Sequence, residues 1–101
     1  TVSSALHYPG NSGGSAVVGS TLVPTATSEF HNYTVEWTPD GIKFVVDGEL
    51  VHNSFVNSAS TPFNSDFFLI MNVAMGGNLG GTIDPAFTED TMEVDYVRVY
   101  Q

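Results

Sequence analysis

The sequence predicts an all-β protein built as an antiparallel sandwich, on three observations. Helical periodicity is essentially absent. Short runs rich in Val, Ile, Phe and Tyr alternate apolar with polar residues, and turn signals punctuate those runs. Together they give about six or seven short strands at regular spacing, the pattern of two packed sheets.

The elements follow in chain order. Ala5 to Tyr8 and Ser15 to Val23 read as strands, with Pro9-Gly10-Asn11-Ser12-Gly13-Gly14 as the loop between them. The clearest unit is a β-meander from Phe30 to His52. Tyr33, Val35 and Trp37 alternate with Asn32, Thr34 and Glu36, as a half-buried strand requires, and this places Trp37 in the core. Pro39-Asp40-Gly41 supplies a turn: proline presets φ and glycine accepts a positive φ. Ile42, Phe44 and Val46 then alternate with Lys43 and Val45. Asp47-Gly48 is a two-residue hairpin signal, and Glu49 to His52 returns as a third strand.

Phe67 to Ala74 is apolar on both alternating faces apart from Asn72, so it reads as a strand covered on both sides or facing a ligand cleft on one. Gly76-Gly77-Asn78-Leu79-Gly80-Gly81 is too glycine-rich for a strand. Met92 to Tyr100 resumes alternation, with Met92, Val94, Tyr96 and Tyr100 on one face, and closes the chain as a final strand.

Composition limits the function. The chain has 101 residues, so one domain is the ceiling, and 42% hydrophobic residues suit a globular core. Eleven acidic residues face only Lys43 and Arg98, for a net charge of −9. Nucleic acid and anionic membranes are therefore poor partners, since both are bound through basic side chains. Neutral sugars and cations such as calcium remain. Cysteine is absent, which removes disulfides, thiol catalysis and cysteine–zinc sites. No apolar run of ~18 residues is present, and Thr1-Val2-Ser3-Ser4 is neither charged nor apolar enough for a signal peptide.

Each residue type that could carry chemistry has a plainer reading beside it. His31 and His52 read as surface or strand-end histidines, whereas His7 ends a strand before a glycine-rich loop and stays open to a functional role. Glu93 and Asp95 share a strand face about 6.6 Å apart at Cα. A glycosidase needs two carboxyl groups, yet a pair beside a strand is more often a solvated face or a cation site. The glycine-rich loop lacks the following helix and lysine of a phosphate site, having Thr82-Ile83-Asp84-Pro85 instead. Asn32-Tyr33-Thr34 matches the glycosylation acceptor pattern but falls inside a strand. Asn72, alone among apolar neighbours, serves either a sugar hydroxyl or a structural hydrogen bond.

Three segments taken together resemble the end of a bacterial family 16 glycoside hydrolase of the laminarinase (endo-β-1,3-glucanase) type. They are the meander Phe30-His31-Asn32-Tyr33-Thr34-Val35-Glu36-Trp37-Thr38-Pro39 through Asp47-Gly48, the stretch Pro62-Phe63 with Phe67 to Asn78, and the closing Met92-Glu93-Val94-Asp95-Tyr96-Val97-Arg98-Val99-Tyr100-Gln101. The resemblance implies a jelly-roll (concanavalin-like) sandwich, with residues 1–101 as the C-terminal part of one glycoside hydrolase domain, incomplete for want of the upstream strands. It implies a secreted, retaining endo-glucanase acting on β-1,3- or mixed-linkage β-glucan. The family's catalytic Glu-x-Asp-x-x-Glu strand precedes the segment similar to Leu6-His7-Tyr8-Pro9, and nothing in this sequence matches it, so no catalytic residue is carried over. By the same resemblance His7, Asn72 and Asn78 line the substrate cleft. Asp95 helps hold a structural calcium whose other ligands lie on the absent strands. A lone half-sandwich exposes sheet edges, so it is expected to pair with the missing N-terminal half or to form a homo-oligomer. A non-catalytic β-glucan-binding module and a purely structural or engineered piece are the rival readings.

Overall fold

A computed structural model describes the backbone of residues 1–101 and the side chains of all but residues 50–54 and 56. The chain divides into two units, Thr1–Phe67 and Phe68–Gln101.

The first unit holds every ladder among the described residues. Strands β1 (Val2–Leu6) and β2 (Val17–Thr21) pair antiparallel, Val2 opposite Thr21 and Leu6 opposite Val17. The predicted first strand thus ends two residues early, and Tyr8 instead forms an isolated bridge with Asn11 across the loop. Strands β3 (Tyr33–Thr38), β4 (Gly41–Val46) and β5 (Glu49–Val56) form the predicted meander in the order β3-β4-β5. Asp47 and Gly48 both take positive φ, 50° and 86°, as a two-residue hairpin turn demands. Gly41 is needed for another reason than its predicted positive φ. It begins β4 in extended backbone, and a Cβ there would stand 3.0 Å from the Phe55 carbonyl oxygen. Register shifts on either side of Phe44 make β5 longer than its partner, the signature of β-bulges.

The core is small and aromatic. Leu6 from β1 and Ile42 from β4 meet beneath Phe63, which sits in a short 3-10 turn (Pro62–Asn64). Tyr8, Phe55 and Phe63 pack edge-to-face with centroids 5.5–5.7 Å apart. The two sheets of this unit therefore stack through one apolar layer, and the all-β reading holds.

Burial corrects one expectation. Tyr33, Val35 and Trp37 share the face of Val46, Phe44 and Ile42, because each stands directly opposite its partner in the ladder. That face is covered at β4 and left open at β3, where Tyr33, Val35 and Trp37 remain 57, 56 and 47% exposed. The apolar layer stops short of the edge strand.

The second unit has no ladder among the described residues. Phe67 to Ala74 and Met92 to Tyr100, both predicted strands, form no strand pairs and are solvent-exposed. A strand exists only through a neighbour's N–H and C=O groups, and these segments join no ladder. The ordered pieces are local. A four-residue helix spans Gly77–Gly80, entered through Gly76 and left through Gly81, both at positive φ. Asp84 caps the turn that follows: its carboxylate accepts from the Ala86 N–H at 2.8 Å and its carbonyl from the Phe87 N–H at 2.9 Å. Among the described residues no helix is long and apolar enough to cross a membrane.

Candidate functional site

The meander's turns position the polar groups of the first unit. In the β3–β4 register Thr38 faces Gly41, so each step back along β3 matches a step forward along β4, and Asn32 falls beside Asp47. The Asp47 N–H donates to the Asn32 carbonyl at 3.0 Å, and the Asn32 N–H donates to Asp47 Oδ1 at 2.8 Å. The other carboxylate oxygen meets His31 Nδ1 at 2.6 Å. His31 Nε2 in turn lies 3.0 Å from the Thr25 hydroxyl. The Asp47 hydrogen bond, and then a hydrogen bond to the Thr25 backbone, hold the His31 pKa above its usual range. The same bond, joined by the Asn32 N–H, draws Asp47 below the usual carboxylate range. This network ties the segment after β2 to the β4–β5 turn.

A second polar knot surrounds Asn57, a buried polar residue of this unit. Its amide donates to Asn64 Oδ1 at 2.9 Å, and its carbonyl oxygen accepts from the Thr61 hydroxyl at 2.6 Å. The knot fixes the loop that carries Phe63. Beside it, Trp37, Thr38, Pro39, Phe63, Asn64, Ser65 and Asp66 line a shallow concavity of about 250 Å³. The indole N–H there donates to the Phe63 carbonyl at 2.7 Å, and Phe67 meets the ring edge-to-face at 5.7 Å. In the second unit, Ala74, Met75, Gly76, Gly80, Ile83, Asp84 and Phe87 line another open concavity of about 210 Å³.

The residues singled out from sequence are placed as follows. His7 is exposed just beyond β1, in the first unit. Asn72, Asn78 and Asp95 are exposed in the second, Asn78 within the Gly77–Gly80 helix. His7 thus belongs to the first unit, and Asn72, Asn78 and Asp95 to the second. The His52 side chain lies outside the described residues. Calcium takes 6–8 oxygen ligands, whereas among the described residues no three His, Asp or Glu side chains gather for a metal. Asp95 by itself does not fit a calcium ion.

Sequence reasoning missed the His31–Asp47 pair, although the signal was available. A two-residue Pro39-Asp40 turn fixes the register and brings position 47 to positions 31 and 32. The Trp37 concavity was hidden because alternation alone assigned that face to the core.

Stacked antiparallel sheets, an aromatic core and polar groups carried on strand ends and loops define the class, an all-β scaffold that presents its chemistry at the surface. Within that class the chain belongs to the Glycosyl hydrolases family 16, whose profile matches residues 1–98. It is 44% identical over 94 residues to a beta-glucanase of Rhodothermus marinus, covering 82% of this chain and 32% of that protein. It is 39% identical over 88 residues to the glucan endo-1,3-beta-glucosidase A1 of Niallia circulans, covering 76% of this chain and 13% of that protein. A keratan-sulfate endo-1,4-beta-galactosidase of Sphingobacterium multivorum is 38% identical over 90 residues, 82% of this chain and 21% of that protein. The chain thus spans a third or less of these relatives. No solved structure matches it.

Proposed function

We propose that residues 1–101 are the C-terminal part of a secreted, retaining endo-β-1,3(4)-glucanase, and that this stretch does not hydrolyse glucan by itself. The observation that carries the reading is the family match over residues 1–98, joined to relatives named for β-glucan hydrolysis. A retaining glycosidase needs two rigidly held carboxyl groups about 5–5.5 Å apart. Glu93 and Asp95 are both exposed on a segment without a ladder, so no backbone scaffold holds them at a fixed separation. His7, Asn72 and Asn78 act as cleft residues that hydrogen-bond sugar hydroxyls once the sheet around them is complete. An extracellular location suits a substrate too large to enter a cell.

A segment exchange tests this reading. Residues 1–98 replace the matching part of the Rhodothermus marinus beta-glucanase, and reducing-sugar release from laminarin is measured. A folded exchange protein that hydrolyses laminarin supports the reading; one that melts cooperatively yet is inactive overturns it. The 101-residue chain alone is expected to release no sugar. Release that Glu93→Gln or Asp95→Asn abolishes would overturn the claim of inactivity.

The Trp37 concavity favours a second reading, glucan binding without chemistry. A half-exposed indole beside Asn64, Ser65 and Asp66 offers an apolar sugar platform with hydrogen-bonding groups at its rim. Calorimetric titration of the chain with laminari-oligosaccharides would give saturable heat under that reading, and none if the groove is only a packing gap.

A further inference from the structure

We propose that the meander carries a spontaneous modification site: Asp40-Gly41 isomerises to isoaspartate, while the same dipeptide at Asp47-Gly48 is locked against that reaction by its hydrogen bonds. The two Asp-Gly steps stand at the two ends of β4. Aspartate before glycine is open to cyclisation, because no side chain shields the following amide nitrogen. The glycine nitrogen bonds to the aspartate Cγ, and its proton leaves with the carboxyl hydroxyl as one molecule of water. Water then opens the succinimide ring. Attack at Cγ returns aspartate, whereas attack at the backbone carbonyl carbon leaves the chain running through Cβ and Cγ. Water is the sole co-reactant, and the net mass change is nil.

Two requirements separate the sites. The carboxyl group must swing onto the next nitrogen, and it must be neutral to give up its hydroxyl. At Asp47 both oxygens are tied to residues that precede the meander's first turn. Oδ2 meets His31 Nδ1 at 2.6 Å, and Oδ1 accepts from the Asn32 N–H at 2.8 Å. Cyclisation at Asp47 breaks both bonds. The His31 bond first, and the Asn32 N–H after it, also hold Asp47 below the usual carboxylate range, so the neutral acid is scarce there.

Asp40 is exposed in the turn between β3 and β4. Its backbone carbonyl accepts from the Asn57 N–H at 3.1 Å, and among the described residues no hydrogen bond or ion pair holds its carboxylate. The Gly41 N–H donates to the Thr38 hydroxyl at 3.1 Å, an exposed neutral bond that water replaces at little net cost. The reaction has a structural consequence at this step. Thr38 faces Gly41 across the turn, and isoaspartate adds a backbone carbon between them. Ageing of the chain therefore begins where the β3–β4 register is set.

The test uses the whole chain, kept folded for several weeks at physiological temperature. Digestion with a protease that cuts before aspartate but not before isoaspartate, followed by electron-transfer fragmentation, assigns each site. Isoaspartate is expected to accumulate at position 40, and about tenfold more slowly at 47, the factor that one hydrogen bond to a charged group supplies. His31→Ala is expected to raise the rate at 47 about tenfold and to leave the rate at 40 unchanged. In guanidinium chloride the ties are gone, and the two sites are expected to react alike. That arm keeps the comparison readable where His31→Ala does not fold. Equal rates in the folded chain overturn the proposal, as does a faster reaction at 47. So does a folded His31→Ala chain with an unchanged rate at 47, a difference between the sites that persists in denaturant, or a position 40 that reacts in denaturant alone.

Discussion

Residues 1–67 and residues 68–101 are built from similar side chains, and only the first stretch forms sheets. Phe67 to Ala74 is among the most strand-like stretches of the sequence, yet Phe68, Leu69 and Ile70 are 84, 67 and 70% exposed. Ile42, in a strand of ordinary composition, is 4% exposed. The difference is one of partners. β4 lies between two neighbours fixed by two-residue turns, so its backbone bonds close locally and at little loop-closure cost. The segments of the second unit have no such turn to bring a neighbour. Strand propensity describes a surface that suits a sheet, and pairing decides whether a sheet exists.

The contrast can be broken most sharply at Ile42. Ile42→Ala removes buried methyl groups from a core with few other members, and is expected to cost about 2–5 kcal/mol in a urea melt. Ile70→Ala, made as its counterpart, is expected to move the same midpoint by less than about 0.5 kcal/mol. Equal costs would mean that the second unit buries its apolar residues in solution. Gly48→Ala comes next. With φ at 86°, a Cβ there is strained by about 1–2 kcal/mol, and the loss should appear in the same melt. Gly77→Ala, also at positive φ but in the unit without ladders, is expected to leave that midpoint unmoved.

Smaller and pH-dependent is the His31–Asp47 pair. His31 has its folded pKa raised, so its contribution is complete below its ordinary value of 6.5 and is lost as pH climbs through the raised one. Asp47 has its folded pKa lowered, so its contribution is present above its ordinary 3.8 and is lost as pH falls through the lowered one. The stability difference between the native chain and His31→Gln is therefore expected to peak between those two ordinary values, 3.8 and 6.5. Melting temperatures across that range check it, and a flat difference would mean the pair is not formed. Hydrogen exchange gives the finest comparison: the amides of β4 are expected to exchange far more slowly than those of Met92 to Tyr100.

The legible part of the fold was the part encoded by short-range signals. Alternation located β3 and β4, and Asp47-Gly48 specified its turn down to the sign of φ. The early strands were found with shifted ends because loops rich in Gly and Ser mark a boundary poorly. The covering of a sheet face was not legible. Tyr33, Val35 and Trp37 alternate as a buried face should, and no periodicity says how far the opposing sheet extends. Of the candidate residues, His7 and Asn72 stood out by their place in the sequence, and the resemblance added Asn78 and Asp95 and gave each of the four its expected role. What brings such residues together is long-range pairing, and that is the information a local pattern lacks.

Trp37 is the chain's single tryptophan, and its indole is tied to Phe63 and Phe67 within the first unit. Its ultraviolet emission is consequently a one-sided witness. It will report the loosening of the meander and its aromatic core. A sharp, single fluorescence transition would therefore certify cooperativity for the first unit alone. Two-state behaviour of the whole chain shows only where a probe that sees every amide traces the same curve.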